Sequence, residues 1–411
     1  MDITGAGQPA ASTPARLRSR RSFLVGAAGV AGGALAVAGG LAVTGGSGTD
    51  EPNGLLAAQA VLAATPSAAT GAGIAMYRGN PARTGEVAGP GPAGKPVIRW
   101  LFEAQVRVVS SPVVVGGTVY AGSSALFAVD ATTGMERWKF VTGDHVRSSP
   151  AVADGVVYAG AQNGILFAVD AATGTERWRF ETGDTMDSSP LVVDGVVYAA
   201  SEAGNLYALD AATGTERWRC PVGVIAYSSP ALADGTVYIG SLDQNVYAVD
   251  AATGTERWRF PTGSYMNASP AVAGGIVYIA NDHGTVFAID AASGAEVWRF
   301  ETGLLVFASA AVSNGLVYIG SYTGTLHALD AVTGEERWAK EIGLVLSGSA
   351  TVAAGILYIG GQDRVLYALD AASGDLLWEV ETEGSILSSP AVVDGVVYVG
   401  SDDSRLYAIG E

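Results

Sequence analysis

His145, Arg147, Asp187, Tyr227, Tyr265, Asn267, Phe307 and Leu387 are the side chains through which this chain is best placed to meet a ligand. Seven connections carry them or their neighbours, reading GDHVR, GDTMD, GVIAY, GSYMN, GLLVF, GLVLS and EGSIL, and most lead into a Ser-Ser-Pro-like strand. Their chemistry is recognition rather than bond making. A cation, a carboxylate, an amide, phenols and apolar rings can grip a ligand, but no nucleophile stands beside a base. The chemistries that are missing narrow the choice further. The only three histidines, His145, His283 and His327, lie far apart without cysteine partners, unlike a zinc site. Asp402-Asp403 and Asp282-His283 lack the loop spacing of a calcium hand. No Gly-x-Ser-x-Gly, phosphate-binding loop or unrepeated carboxylate pair is present. The expectation is therefore no catalytic residue and no bound metal. The single Cys220 excludes an internal disulfide and stands where sister segments have Phe, so it reads as a small buried hydrophobe.

The elements that hold these residues repeat. All eight tryptophans, Trp100, Trp138, Trp178, Trp218, Trp258, Trp298, Trp338 and Trp378, are separated by 40 residues, except for a first interval of 38. Tyrosines at 120, 158, 198, 238, 278, 318, 358 and 398 keep the same step, as do aspartates from 130 to 370. A period near forty residues with several short strands per unit is a propeller blade. In the unit from Ser188 to Cys220, turn signals at Asp194-Gly195, Gly204 and Thr213-Gly214 separate four runs, SSPLVV, VVYAAS, NLYALD and TERWRC. Alternation puts Glu216, Trp218 and Cys220 on one face of the last run, with Arg217 and Arg219 on the other. Asp210 is read as the acceptor for backbone N–H groups of its own turn. The last unit stops after three strands, at Leu406 to Gly410, while an unattached strand, Ile98 to Phe102, precedes the first. Joining the two removes both open edges. The fold predicted is all-β: an eight-bladed propeller of four-stranded antiparallel blades over residues 95–411, closed by the strand around Trp100.

Along such meanders, two connections of each unit lie on one face and two on the other. One face barely changes between repeats (DG turns and DAATGTE). The other carries nearly all the differences, including the two-residue deletion at Ser123-Ser124. Residues just before the innermost strand ring the channel mouth, which places Arg147, Asp187, Tyr227, Asn267, Phe307, Ser347 and Leu387 there. The alternative is that these loops vary because nothing constrains them. Against it stands their character: earlier units are polar, whereas later ones supply Leu304, Leu305, Val306, Phe307, Leu344, Val345, Leu346, Ile386 and Leu387. A half-polar, half-apolar mouth suits an extended peptide.

The ends and the charge place the chain. Ser19-Arg20-Arg21-Ser22-Phe23-Leu24, followed by an uncharged Gly/Ala-rich stretch to Val43, resembles a twin-arginine export signal. Ala36-Val37-Ala38 offers a cleavage site, and an uncleaved anchor is the alternative. Residues 1–43 are assigned to this signal and 44–94 to a disordered linker and a lead-in. The expected location is outside the cytoplasm: extracellular, periplasmic or envelope-associated. A formal charge of −17 argues against nucleic acid or an anionic membrane as partner. Membrane contact is left to the N-terminal segment, and the propeller is expected to be a monomer.

Two stretches, LYALDAATGTERWRC from Leu206 and SSPAVVDGVVYVGS from Ser388, resemble the pyrroloquinoline-quinone-like propeller repeat. Met76 to Gly85, MYRGNPARTG, is similar to the lead-in that often precedes such domains. The resemblance implies a choice among quinoprotein dehydrogenases, scaffold proteins of the outer-membrane barrel-assembly (BamB) type and sensor domains. For the dehydrogenases it implies an adjacent cysteine pair, a calcium site and a Trp stacked on the cofactor. One cysteine forbids the first, and all eight tryptophans are committed to blades. The reading is therefore a non-enzymatic scaffold that binds a protein or peptide partner in the envelope, without pyrroloquinoline quinone. The alternative is a sensor that takes a small molecule or glycan in the channel.

Overall fold

The computed structural model describes residues 73–411. The twin-arginine segment and residues 44–72 of the linker lie outside the described residues.

Eight sheets are arranged as eight blades, each a meander of four antiparallel strands. In the third blade these are Leu191–Val193, Val196–Ala200, Asn205–Asp210 and Glu216–Pro221. The two middle strands are almost wholly buried, because Val, Tyr, Leu and Ala project into the seams on both faces. The outermost strand alternates between covered and exposed residues. This strand departs from strict alternation. The register slips between Ala208–Trp218 and Leu209–Glu216, a bulge that recurs in every blade. Arg217 sits at the slip and reaches back to Asp210 at 2.8 Å. Beyond the slip Arg219 shares a face with Glu216, which it grips at 2.7 and 2.6 Å. It also lies over the Tyr207 ring. The bulge thus undoes the predicted separation of Glu216 from Arg219. Asp210 also accepts bonds from the backbone N–H of Ala212 and Thr213 and from the Thr213 hydroxyl, as its turn requires.

The tryptophans join blade to blade. The Trp178 indole donates to the Ala211 carbonyl of the following blade at 2.9 Å and packs against Tyr158. Gly214 of that following blade lies flat on the same indole. Its φ is +72°, and a Cβ there would meet the ring at 2.7 Å. The Thr-Gly pair of each turn is therefore fixed twice, by backbone hand and by the approach of the neighbouring indole. Cys220 is buried, with burial pushing its thiol up.

The ring closes as the strand count required. Val97–Glu103 pairs antiparallel with Arg405–Gly410, running from Val97↔Gly410 to Glu103↔Arg405. Trp100 then donates to Ala131 of the first blade at 3.0 Å. At the channel a second closure appears. The backbone N–H of Ser111 donates to Ser149 Oγ, and the pattern passes through Ser189, Ser229, Ser269 and Ser309 to Ser349, the step from Ser349 to Ser389 being the one of eight without a hydrogen bond among the described residues. Ser389 then returns to Ser111, every bond being 2.9 Å.

The lead-in is more than an approach to the first blade. Ile74 pairs with Val114 of blade one, and carbonyls further along then serve the innermost strands of blades two, four, five, six and seven. Ala75 accepts from Val152, Pro81 from Leu232, Ala82 from Val272, Thr84 from Val312 and Gly85 from Val352. Glu86–Val87 adds a short parallel strand to blade seven, giving that sheet a fifth member. Packing onto the blades thus already includes Ile74, two residues ahead of the Met76 boundary expected from sequence.

Candidate functional site

One end of the central channel is filled by this lead-in, and the other opens as a cavity of about 420 Å³. Its floor is Tyr77 inside the serine ring. Its wall is the residue two places before each ring serine: Val109, Arg147, Asp187, Tyr227, Asn267, Phe307, Ser347 and Leu387. The strand-to-strand step explains the placement. Where the chain turns toward the axis to start an innermost strand, this residue is the last to face the opening.

The structure therefore gathers six of the eight sequence candidates, Arg147, Asp187, Tyr227, Asn267, Phe307 and Leu387, into one wall. His145 and Tyr265 are not part of it. They stand two residues earlier and point outward on the rim, where Tyr265 is 56% exposed. The residue between the two positions faces the blade seam. Val306, Leu346 and Ile386, expected at the mouth, are fully buried there, as Val146, Met186 and Met266 are in the earlier blades. What persists as an apolar arc is Leu304, Leu305, Phe307, Tyr322 and Leu344, with Tyr227 set apart from it by Asn267.

Sequence reasoning missed an outer ring. At three wall positions the residue fifteen further on, at the tip of the next connection, leans on it. Phe307 meets Tyr322 edge-on at 5.5 Å, Asn267 donates to Asp282 at 2.7 Å, and Gln362 donates to Ser347 at 3.4 Å. These tips were legible as variable loops, but not as partners of the wall. Arg107 was also missed, because the deletion in the first unit hides its register. It lines the cavity beside Val109.

Charge is unevenly spread around the mouth. Asp187 is buried, lies 3.5 Å from Arg147, and accepts from Gln162 at 3.2 Å. Burial pushes its carboxyl up, and the Arg147 guanidinium only partly opposes this. Burial likewise raises Glu202, helped by the neighbouring Asp187, and also raises Asp282 and Asp402. At the floor the sign reverses. Burial works against ionising Tyr77, but the Arg78 guanidinium and the hydroxyls of Ser349, Ser309 and Ser389 outweigh it. Its pKa falls below the ordinary 10.0. The seam tyrosines go the other way, with Tyr158 and Tyr318 pushed up to about 12, chiefly by burial.

An alkaline titration followed by tyrosinate absorbance is accordingly expected to show Tyr77 ionising first, and Tyr77→Phe to lose that earliest step. Because the folded value is depressed, this one group adds stability as pH rises through it toward 10. The raised tyrosines remove stability above that point. An unchanged first step in Tyr77→Phe would refute the electropositive floor.

The groups that the resemblance implies for quinone enzymes do not fit this cavity. No tryptophan lines it, and every tryptophan sits at a blade seam. No cluster of three metal-binding side chains occurs among the described residues.

Fold and repeat together define an eight-bladed propeller built of pyrroloquinoline-quinone-like repeats. Three overlapping stretches, 122–241, 221–344 and 323–411, match the profile of the family described as outer membrane protein assembly factor BamB. The chain belongs to that family. A search of curated proteins found no match. Among solved structures it is similar to BamB from Moraxella catarrhalis, with 21% identity, TM-score 0.66, and coverage of 77% of this chain and all of that one. It is similar also to a europium-containing methanol dehydrogenase (15% identity, TM-score 0.71, 83% and 98% covered). A third is the quinohemoprotein alcohol dehydrogenase from Comamonas testosteroni (19%, 0.70, 86% and 83%). At these identities the likeness is one of fold.

Proposed function

We propose that this chain is an exported, non-enzymatic propeller that binds a protein or peptide partner of the cell envelope through the variable face. The twin-arginine resemblance of Ser19 to Leu24 supports export, and the BamB family membership supports an envelope assembly role. The observation that carries the reading is the cavity wall. Six unrepeated side chains, one per blade, converge on an opening flanked by the exposed Tyr227, Tyr265, Leu304, Leu305 and Leu344. Aromatic and aliphatic groups around a concave centre with a polar margin are the composition of a peptide site. Scaffold and quinone enzymes share this fold, so the choice rests on side chains. The absence from the wall of a stacking tryptophan and of a metal-binding cluster favours the scaffold, without pyrroloquinoline quinone. The cavity's size also allows the second reading, a small-molecule or glycan sensor.

The test is capture of partners from envelope extracts by the intact protein and by the Tyr227→Ala/Phe307→Ala double variant. The intact protein should retain a protein partner that the variant loses by about tenfold or more, the loss typical of two central aromatic anchors. Equal recovery of every partner would remove this face from consideration.

A further inference from the structure

Two arginines lie under the cavity floor without any acid to balance them. Arg83 is 0% and Arg78 4% exposed, and neither forms an ion pair among the described residues. All their hydrogen bonds go to carbonyl oxygens. Arg83 Nε donates to Pro230 O at 3.0 Å and its Nη2 to Pro190 O at 3.0 Å and Ser189 O at 3.3 Å. Arg78 Nε donates to Arg83 O at 2.8 Å, Nη1 to Ser309 O at 3.2 Å, and Nη2 to Ala310 O. Burial pulls the Arg83 guanidinium down to about 9, which still leaves it charged at neutral pH. Carbonyl dipoles satisfy the donors, but they do not cancel two net charges held in a water-poor site.

Directly above lies the serine ring. Each ring oxygen whose bond is described takes one backbone N–H, and no carbonyl or carboxylate of the described residues takes the ring's own hydroxyl protons. Those protons, with the Tyr77 hydroxyl 3.4 Å from Ser349 Oγ, are the donors that the floor presents to the cavity. The lowered pKa of Tyr77 reports the same polarity: an oxygen placed there is stabilised as an anion. Higher up, Arg107 and Arg147 flank the way in.

We propose that the floor is an oxyanion site, and that the peptide of the preceding reading enters C-terminus first, seating its terminal carboxylate on the serine ring above Arg78 and Arg83. This rests on the peptide-binding assignment and adds direction to it. The carboxylate takes hydroxyl protons from the ring and from Tyr77, while the buried guanidiniums supply the field. The last side chains of the peptide then meet Phe307, Leu387, Val109 and Tyr227. An internal backbone segment has no such charge at its carbonyls, so the floor favours the end of a peptide.

Calorimetric titration of the full chain tests this with N-acetylated alanyl-leucyl-phenylalanine as the free acid and as the C-terminal amide, with phenylacetate as a third probe. The acid should bind at least about tenfold more tightly than the amide, the value of one charge-assisted contact. Tyr77→Phe should close much of that gap, weakening the acid several-fold more than the amide. Arg107→Gln/Arg147→Gln, which removes the two cations flanking the entrance together with the Arg147 contact to Asp187, should weaken the acid selectively. Equal binding of acid and amide would overturn the oxyanion floor and leave the peptide reading standing. Tight phenylacetate binding lost in Tyr77→Phe, with neither peptide bound, would support the floor and overturn the peptide as its occupant. Binding of none of the three would overturn the proposal.

Discussion

A chain that starts at residue 104 should fail to form a soluble monomer, or should melt far below one that starts at Gly73. The longer truncation loses both the strand Val97–Glu103 and the whole lead-in. It exposes the ladder edge of Arg405–Gly410, an unprotected strand of a kind that promotes aggregation. It also forfeits the Trp100 seam to Ala131 and Tyr398, on the order of 3 kcal/mol because that indole is only half buried. A third chain starting at Lys95 keeps the closing strand but lacks Tyr77, Arg78 and Arg83, and should melt between the two. Three melting curves decide the matter. If the chains starting at 73 and 104 melt together, Val97–Glu103 does not hold the ring shut.

Arg83→Met should be the most damaging single substitution outside the blades. Exchanging a buried ionic group for an apolar one is often harmless when its partners are exchanged with it. Here the partners are backbone carbonyls of Tyr77, Ser189, Pro190 and Pro230, which cannot be exchanged. Each acceptor stranded without water costs about 1–3 kcal/mol, so the loss should be about 3 kcal/mol or more. Arg83→Lys keeps the charge but not the planar fork that spans blades three and four, and should fall between. Chemical denaturation gives the ranking. A wild-type midpoint for Arg83→Met would mean that the lead-in is not the structural floor of the channel.

Architecture was written into the sequence because repetition averages out local ambiguity. Eight copies of a Trp, a Tyr and an Asp at one step leave little room for another fold. The wall of the cavity was legible for the same reason, since Arg147, Asp187 and Leu387 hold one register position whose direction the blade dictates. His145 and Tyr265 went astray by two residues. An irregular stretch sends successive side chains to rim, seam and channel, and only the last of these directions follows from strand alternation. The lead-in was opaque because it occurs once. Arg78 and Arg83 look like surface residues in a polar stretch, and their left-handed backbone (φ 60° and 58°) and burial arise only against the starts of the innermost strands. A weak signal did exist: a short unrepeated segment sits directly before the strand that must close the ring.

The pairing of Val97 with Gly410 has a further consequence for how the protein comes into being. Synthesis runs from the first partner to the second across nearly the entire propeller, so a ribosome holds an unfinished arc until the final strand emerges. Blades can collapse one by one, since each meander is local. The eighth cannot, for one of its four strands precedes every other blade in the chain and the remaining three follow them. Maturity is thus a single late event. A chain halted a few residues early would carry nearly all the mass of the molecule and none of its closure, which gives quality-control machinery a sharp criterion for what to keep.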